Sequence, residues 1–118
     1  MQELHAQMKE YLKMTELLPF DDFNNYYKSL MNYLQTNYQD MPTEELIKAK
    51  AICSILAENS GGRAGLDKTN RKKFQKIEER THFWADAITL KLKKDGISEQ
   101  ELKAKEDAVF AAEDSAAE

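Results

Sequence analysis

The sequence predicts an all-α fold, a compact bundle of four to five helices joined by short connections. Three observations carry this expectation. Helix breakers are scarce, with four Gly and two Pro among 118 residues, while Leu, Ala, Lys, Glu and Gln are abundant. Apolar residues recur at steps of three and four, the period of a helix buried on one side. No stretch alternates apolar and polar residues in the manner of a half-buried strand. A chain of this length is expected to form one domain, over residues 1–112, and to bury roughly two-thirds of its unfolded surface. Residues 113–118 are small and acidic and are expected to form a fraying tail.

The first helix is predicted over residues 2–18, with Leu4, Met8, Tyr11, Leu12, Thr15 and Leu18 at helical spacing. Pro19 ends it, because the residue before a proline is pushed out of the helical region. Asp21 or Asp22 then caps a second helix, striped by Phe23, Tyr26, Tyr27, Leu30, Met31, Leu34 and Tyr38. A break at 39–42 follows, with Asp40 or Thr43 as the next cap. The third helix, about 43–59, is apolar nearly all round from Leu46 to Ala57. Such a helix belongs at the centre of a bundle. Asn59-Ser60-Gly61-Gly62 is read as its stop, with glycine in the left-handed cap.

A long fourth helix, about 67–94, starts from a cap at Asp67 and closes at Asp95-Gly96. Lys91, Lys93 and Lys94 suit its negative end. Phe74, Ile77, Thr81, Trp84, Ile88 and Leu92 share its core stripe. On the flank that carries Lys72, Lys76 and Arg80 in the first half, Phe83, Ala87 and Leu90 add a second apolar face, so the second half is expected to lie deep in the bundle. Ser98 and Glu101 have capping-box spacing for a fifth helix, about 99–112.

The charge pattern is the main functional lead. Residues 63–94 carry a net charge of +6, against −4 before them and −6 after them, within a chain of net −4 and isoelectric point about 5.3. Lys72, Lys76 and Arg80 follow one another at four-residue steps on one flank of the fourth helix, with Lys73 beside them. Arg63 and Lys68 precede them in a Gly-rich loop. These six residues are the candidate contacts to an acidic partner or to phosphate. Three uses compete: a solvated flank paired with the chain's own acidic helices, a surface that docks an acidic protein or a second copy, or a phosphate-contacting face. An isoelectric point far below 9 weighs against nucleic acid. Residues 60–66 also make too long a connection for a helix-turn-helix. The segment 61–69 is not a phosphate loop, since Leu66-Asp67 stands between the last glycine and Lys68-Thr69 and no strand precedes it. It is read as capping and chain reversal.

Tyr27, Tyr33 and Tyr38 extend beyond the narrow buried stripe of the second helix. They form a candidate aromatic interaction patch, to which Met8, Met14, Met31 and Met41 lend adaptability. His5 and His82 have no ligand-spaced neighbours, so no metal site and no cofactor are expected. No nucleophile is paired with a base and an orienting acid. Glu78-Glu79 is read as pairing with Lys and Arg one turn away. Cys53 lies in an apolar run and reads as a buried thiol in a reducing compartment, the cytoplasm. No run approaches the ~20 apolar residues of a membrane span. The expectation is a non-enzymatic interaction or regulatory protein that binds a protein partner or itself. Nucleic-acid binding through the basic flank is the alternative.

Overall fold

The computed structural model describes residues 1–110 in full and, of the rest, only the helical course of the backbone to Ala117. Five helices follow in order: α1 (Gln2–Lys13), α2 (Phe20–Asn37), α3 (Thr43–Ala64), α4 (Arg71–Lys94) and α5 (Glu99–Ala117). A 3₁₀ turn (Tyr38–Asp40) links α2 to α3, and no strand occurs among the described residues. The fold is the all-α bundle the sequence predicts. The tail expected to fray, 113–118, lies outside the fully described residues.

Helix α3 is central because its sequence is apolar over most of its circumference. Leu46, Ile47, Ala49, Ala51, Ile52, Cys53, Leu56 and Ala57 are all buried. It packs most extensively on α4 and also on α5 and α1. Ala57, Gly61 and Ala64 fall on one helical face, and Gly61 lies against the Glu78 carboxylate of α4. Small residues there let the two helices approach closely. Across this interface α4 contributes Phe74, Ile77, Thr81, Ala85, Ile88 and Leu92. The buried Thr81 hydroxyl donates to the Ile77 carbonyl at 2.7 Å, so it adds no unsatisfied polar group. Helix α2 reaches the same core with Phe20 and Phe23, whose rings meet Phe74 edge-on at 5.1 and 5.6 Å.

Several helix ends depart from the sequence expectation, each for an identifiable reason. Helix α1 stops at Lys13, and Met14 is extended with ψ 140°. Thr15, Glu16 and Leu17 are exposed, so further helix would have buried nothing. Pro19, rather than Asp21 or Asp22, occupies the N-cap of α2. The two aspartates sit in the first turn, where carboxylates favour the helix dipole. Pro42 likewise takes the N-cap of α3 in place of Asp40 or Thr43.

Helix α3 does not stop at the glycines but runs through Gly61 and Gly62 to Ala64. Its final carbonyls need no left-handed cap. The Leu66 and Asp67 amides donate to the Arg63 carbonyl, and the Arg71 Nε donates to the Ala64 carbonyl at 2.8 Å. Helix α4 begins at Arg71 rather than at 67. Asp67 instead caps an isolated turn, accepting the Asn70 amide at 3.1 Å and the Asn70 side chain at 3.0 Å. These bonds, the side-chain one foremost, hold the Asp67 carboxyl below the usual aspartate range.

Two ends match the sequence signals. Gly96, at φ 96°, takes the left-handed cap, with its own amide bonded to Lys93 O and the Ile97 amide bonded to Leu92 O. The Ser98 hydroxyl accepts the Glu101 amide at 3.1 Å and starts α5.

Candidate functional site

The second half of α4 is not deep in the bundle. Phe83 is 66 % exposed and Leu90 62 %, while Phe74 on the opposite face is fully buried. One complete core stripe already faces α3; on the outer side Tyr38 reaches Trp84 and the Ala87 carbonyl but leaves Phe83 and Leu90 exposed. Trp84 is half-buried at the boundary, with its ring edge-on to Tyr38 at 5.3 Å and to Phe83 at 5.9 Å.

The exposed apolar residues continue the basic flank. Lys72, Lys76, Arg80, Phe83, Ala87, Leu90 and Lys94 succeed one another at steps of four and three, which places them in one row along the outer face of α4. At 1.5 Å per residue the row is about 33 Å long. It reads cationic, then apolar, then cationic. By helical spacing, Lys73, Trp84 and Lys91 border one side and Glu79 and Asp86 the other.

The charges of the row have no counter-ion among the described residues. Among the described residues the ion pairs are Lys13–Glu10, Lys50–Glu106, Lys93–Glu99 and the terminal amine with Glu45. Lys72, Lys76, Arg80 and Lys94 are exposed and take part in none of these. The pairing expected of Glu78 and Glu79 is likewise missing among the described residues. Lys73 lies with its ammonium 5.4 Å from the Phe20 ring centre. Lys68 is exposed in the 67–70 turn.

Two other cations leave the row for structural work. The Arg63 guanidinium stacks over Phe74 at 4.8 Å and Phe23 at 5.3 Å. The Lys91 ammonium lies 4.8 Å over the Tyr38 ring and donates to the Tyr38 and Gln39 carbonyls at 3.3 and 3.4 Å. Lys91 thus satisfies the end of α2 as well as the end of its own helix.

The three tyrosines do not form one patch. Tyr27 is buried, and burial raises its phenol pKa while nearby Arg80 partly offsets the rise. Tyr33 is half-buried and donates to Glu45 at 2.8 Å, a bond that raises its own pKa. Tyr38 points to α4 and donates to the Ala87 carbonyl at 3.1 Å. Tyr38 is the one of the three that hydrogen-bonds to α4 among the described residues.

Sequence reasoning placed Phe83 and Leu90 in the core. The signal that assigns them to the surface is their register, since they continue the Lys72–Lys76–Arg80 line on a helix whose core stripe is already complete.

Cys53 is fully buried, and burial pushes its thiol up to about 12, away from the reactive thiolate. No group of three or more His, Cys, Asp or Glu is placed to hold a metal ion among the described residues. No described helix is long and apolar enough to cross a membrane. No protein-family model matches the chain, and no curated protein or solved structure is similar to it.

Proposed function

We propose that this chain is a non-catalytic interaction module, of regulatory type, that docks an acidic amphipathic segment of a partner protein on the outer face of α4. One observation carries the reading: Phe83 and Leu90 stand exposed in line with four cations that form no ion pair among the described residues. Exposed apolar side chains two turns apart are the footprint of an anchor pair in helix recognition. Full burial of each would be worth roughly 1.5–3 kcal/mol. Lys72, Lys76, Arg80 and Lys94 would steer acidic residues to either end of that anchor and set the orientation. The buried, reduced Cys53 suits a reducing compartment, which favours the cytoplasm.

Self-association through this face is the weaker form of the reading. An antiparallel two-fold pairing of α4 about Phe83 sets Lys72 opposite Lys94, and a parallel pairing sets each cation opposite itself. A second reading rests on the same cations, which could contact nucleic-acid phosphates without reading sequence.

Both readings are tested by one titration monitored through backbone amide NMR. The probes are an acidic amphipathic peptide with Leu anchors, its Lys-substituted counterpart, and a thymidine oligonucleotide. Shifts confined to 72–94 with the acidic peptide, lost in Phe83→Glu/Leu90→Glu, are expected. Binding of the oligonucleotide alone at low salt favours the phosphate reading. Equal binding of the acidic and basic peptides refutes the docking reading.

A further inference from the structure

A second feature uses none of the outer α4 residues. The non-helical segment between α1 and α2 lies as a strap over a cavity of about 230 Å³. Met8, Tyr11, Phe23 and Leu56 line its floor, and Met14, Leu17 and Leu18 belong to the strap. Leu17 is 73 % exposed, and Leu12 and Met14 are about half exposed, so the strap presents apolar surface with nothing to cover. Three polar residues share the cavity: Glu16, Asn59 and Arg63.

Arg63 is the informative one. It is half-buried, its planar cation is stacked on Phe23 and Phe74, and among the described residues its side chain has no ion pair and no hydrogen bond to an acceptor. Its charge reaches Asp67 only as the least of the influences on that carboxylate. A guanidinium removed in part from water gains by pairing its free N–H edge with an anion. Aromatic stacking leaves that edge available. Beside it Met8, Leu18, Phe23 and Leu56 supply apolar wall, so the anion that fits both carries a hydrocarbon body. At about 230 Å³ the cavity has room for a medium-length hydrocarbon chain.

We propose that the cavity between the α1–α2 strap and Arg63 binds a small apolar monocarboxylate, with Arg63 on the carboxylate and the strap leucines over the hydrocarbon. Glu16 on the strap is a competing negative charge at the same cavity. Removing it strengthens binding, whereas removing Arg63 weakens it.

The test uses the full chain with sodium octanoate, octan-1-ol and octylammonium as probes, followed by methyl NMR of Leu12, Leu17, Leu18 and Leu56. Saturable octanoate-dependent shifts at these methyls are expected, with the alcohol and the amine at least about tenfold weaker. Arg63→Met should weaken octanoate by about tenfold or more, and Glu16→Gln should tighten it about threefold. The proposal is overturned if octanoate gives no saturable shift, if octanol binds as well, or if the shifts map elsewhere. Arg63 supports Phe23 and Phe74, so a misfolded Arg63→Met leaves the decision to Glu16→Gln. This residue is exposed, and an unchanged octanoate affinity in that variant overturns the role given to charge.

Discussion

Truncation of Phe83 and of Phe74 should have very different consequences, although both lie on α4 within three turns of each other. Phe83 retains only a third of its side chain in contact with protein. Full burial of such a side chain is worth roughly 1.5–3 kcal/mol, so the buried third contributes about 0.5–1 kcal/mol. Its edge contact with Trp84 lies at the long end of the useful range and adds a few tenths at most. Alanine also has the higher helix propensity, which offsets part of the loss. Phe83→Ala should therefore cost no more than about 1 kcal/mol.

Phe74 is fully enclosed and meets Phe20, Phe23 and the Arg63 guanidinium. Phe74→Ala should cost about 3–5 kcal/mol, because a cavity is left behind in addition to the lost transfer energy. In a chain of this size 1 kcal/mol moves Tm by about 3–6 °C. Urea unfolding followed by far-ultraviolet circular dichroism separates the two outcomes without ambiguity. Leu90→Ala should be close to neutral in the same assay. A cost for Phe83→Ala comparable with that of Phe74→Ala would refute the exposed placement of the α4 row, and with it the basis for docking there.

Other perturbations test separate parts of the structure. Gly62→Ala should stabilise by up to about 1 kcal/mol, since the position is helical, exposed and open to a Cβ. Gly96→Ala should destabilise by about 1 kcal/mol or more, since φ is 96° there. Equilibrium unfolding of both variants checks that α3 passes through its glycines while α4 ends on one. Cys53 should resist iodoacetamide at pH 8 in the folded protein and react in guanidinium, as followed by mass spectrometry. Rapid labelling of the native chain would contradict its burial. Asp67 has a carboxyl pKa held below its ordinary value, so the folded state binds the ionised form better. Its contribution is complete above the ordinary aspartate pKa near 4 and is lost as pH falls through the lowered value. The Tm difference between the parent chain and Asp67→Ala should thus be constant at neutral pH and shrink as pH falls below the ordinary aspartate range.

Much of the fold is legible in the sequence because apolar spacing is a strong, distributed signal. The largely apolar run from Ala51 to Ala57, interrupted only by Ser54, marks α3 as central. Ser98 and Gly96 mark real helix boundaries, since each supplies a local hydrogen-bonding or backbone solution that few residues offer. The misplaced boundaries share one cause. Gly61-Gly62 resembles a stop, yet close packing against α4 and carbonyl capping by Arg71 favour continuing the helix. Arg71 is remote from the glycines in local pattern, so the local sequence does not reveal it. The end of α1 at Lys13 depends on what surface is available to Thr15 and Leu17, which is again a tertiary matter.

The candidate site was legible by halves. The Lys72–Lys76–Arg80 row follows from helical spacing and is exposed as read. The apolar half was assigned to the core, because Phe83 and Leu90 have the composition of core residues and only the occupancy of the opposite stripe shows otherwise. Residue type groups Tyr27, Tyr33 and Tyr38, but Tyr27 is buried while the Tyr33 and Tyr38 hydroxyls are directed by partners on α3 and α4 respectively. The strap over the Arg63 cavity was not legible, since it exists only because α1 stops short of Pro19.

A charge swap probes the α4 docking face most directly. Lys72→Glu, Lys76→Glu and Arg80→Glu are combined in one chain, and the affinities of the acidic and basic peptides are measured at low and moderate salt by fluorescence anisotropy. The outer face should then prefer the basic peptide over the acidic one. Both preferences should weaken as salt rises, and both should be lost in Phe83→Glu/Leu90→Glu. Unchanged preference for the acidic peptide after the swap would show that the α4 row does not choose the partner.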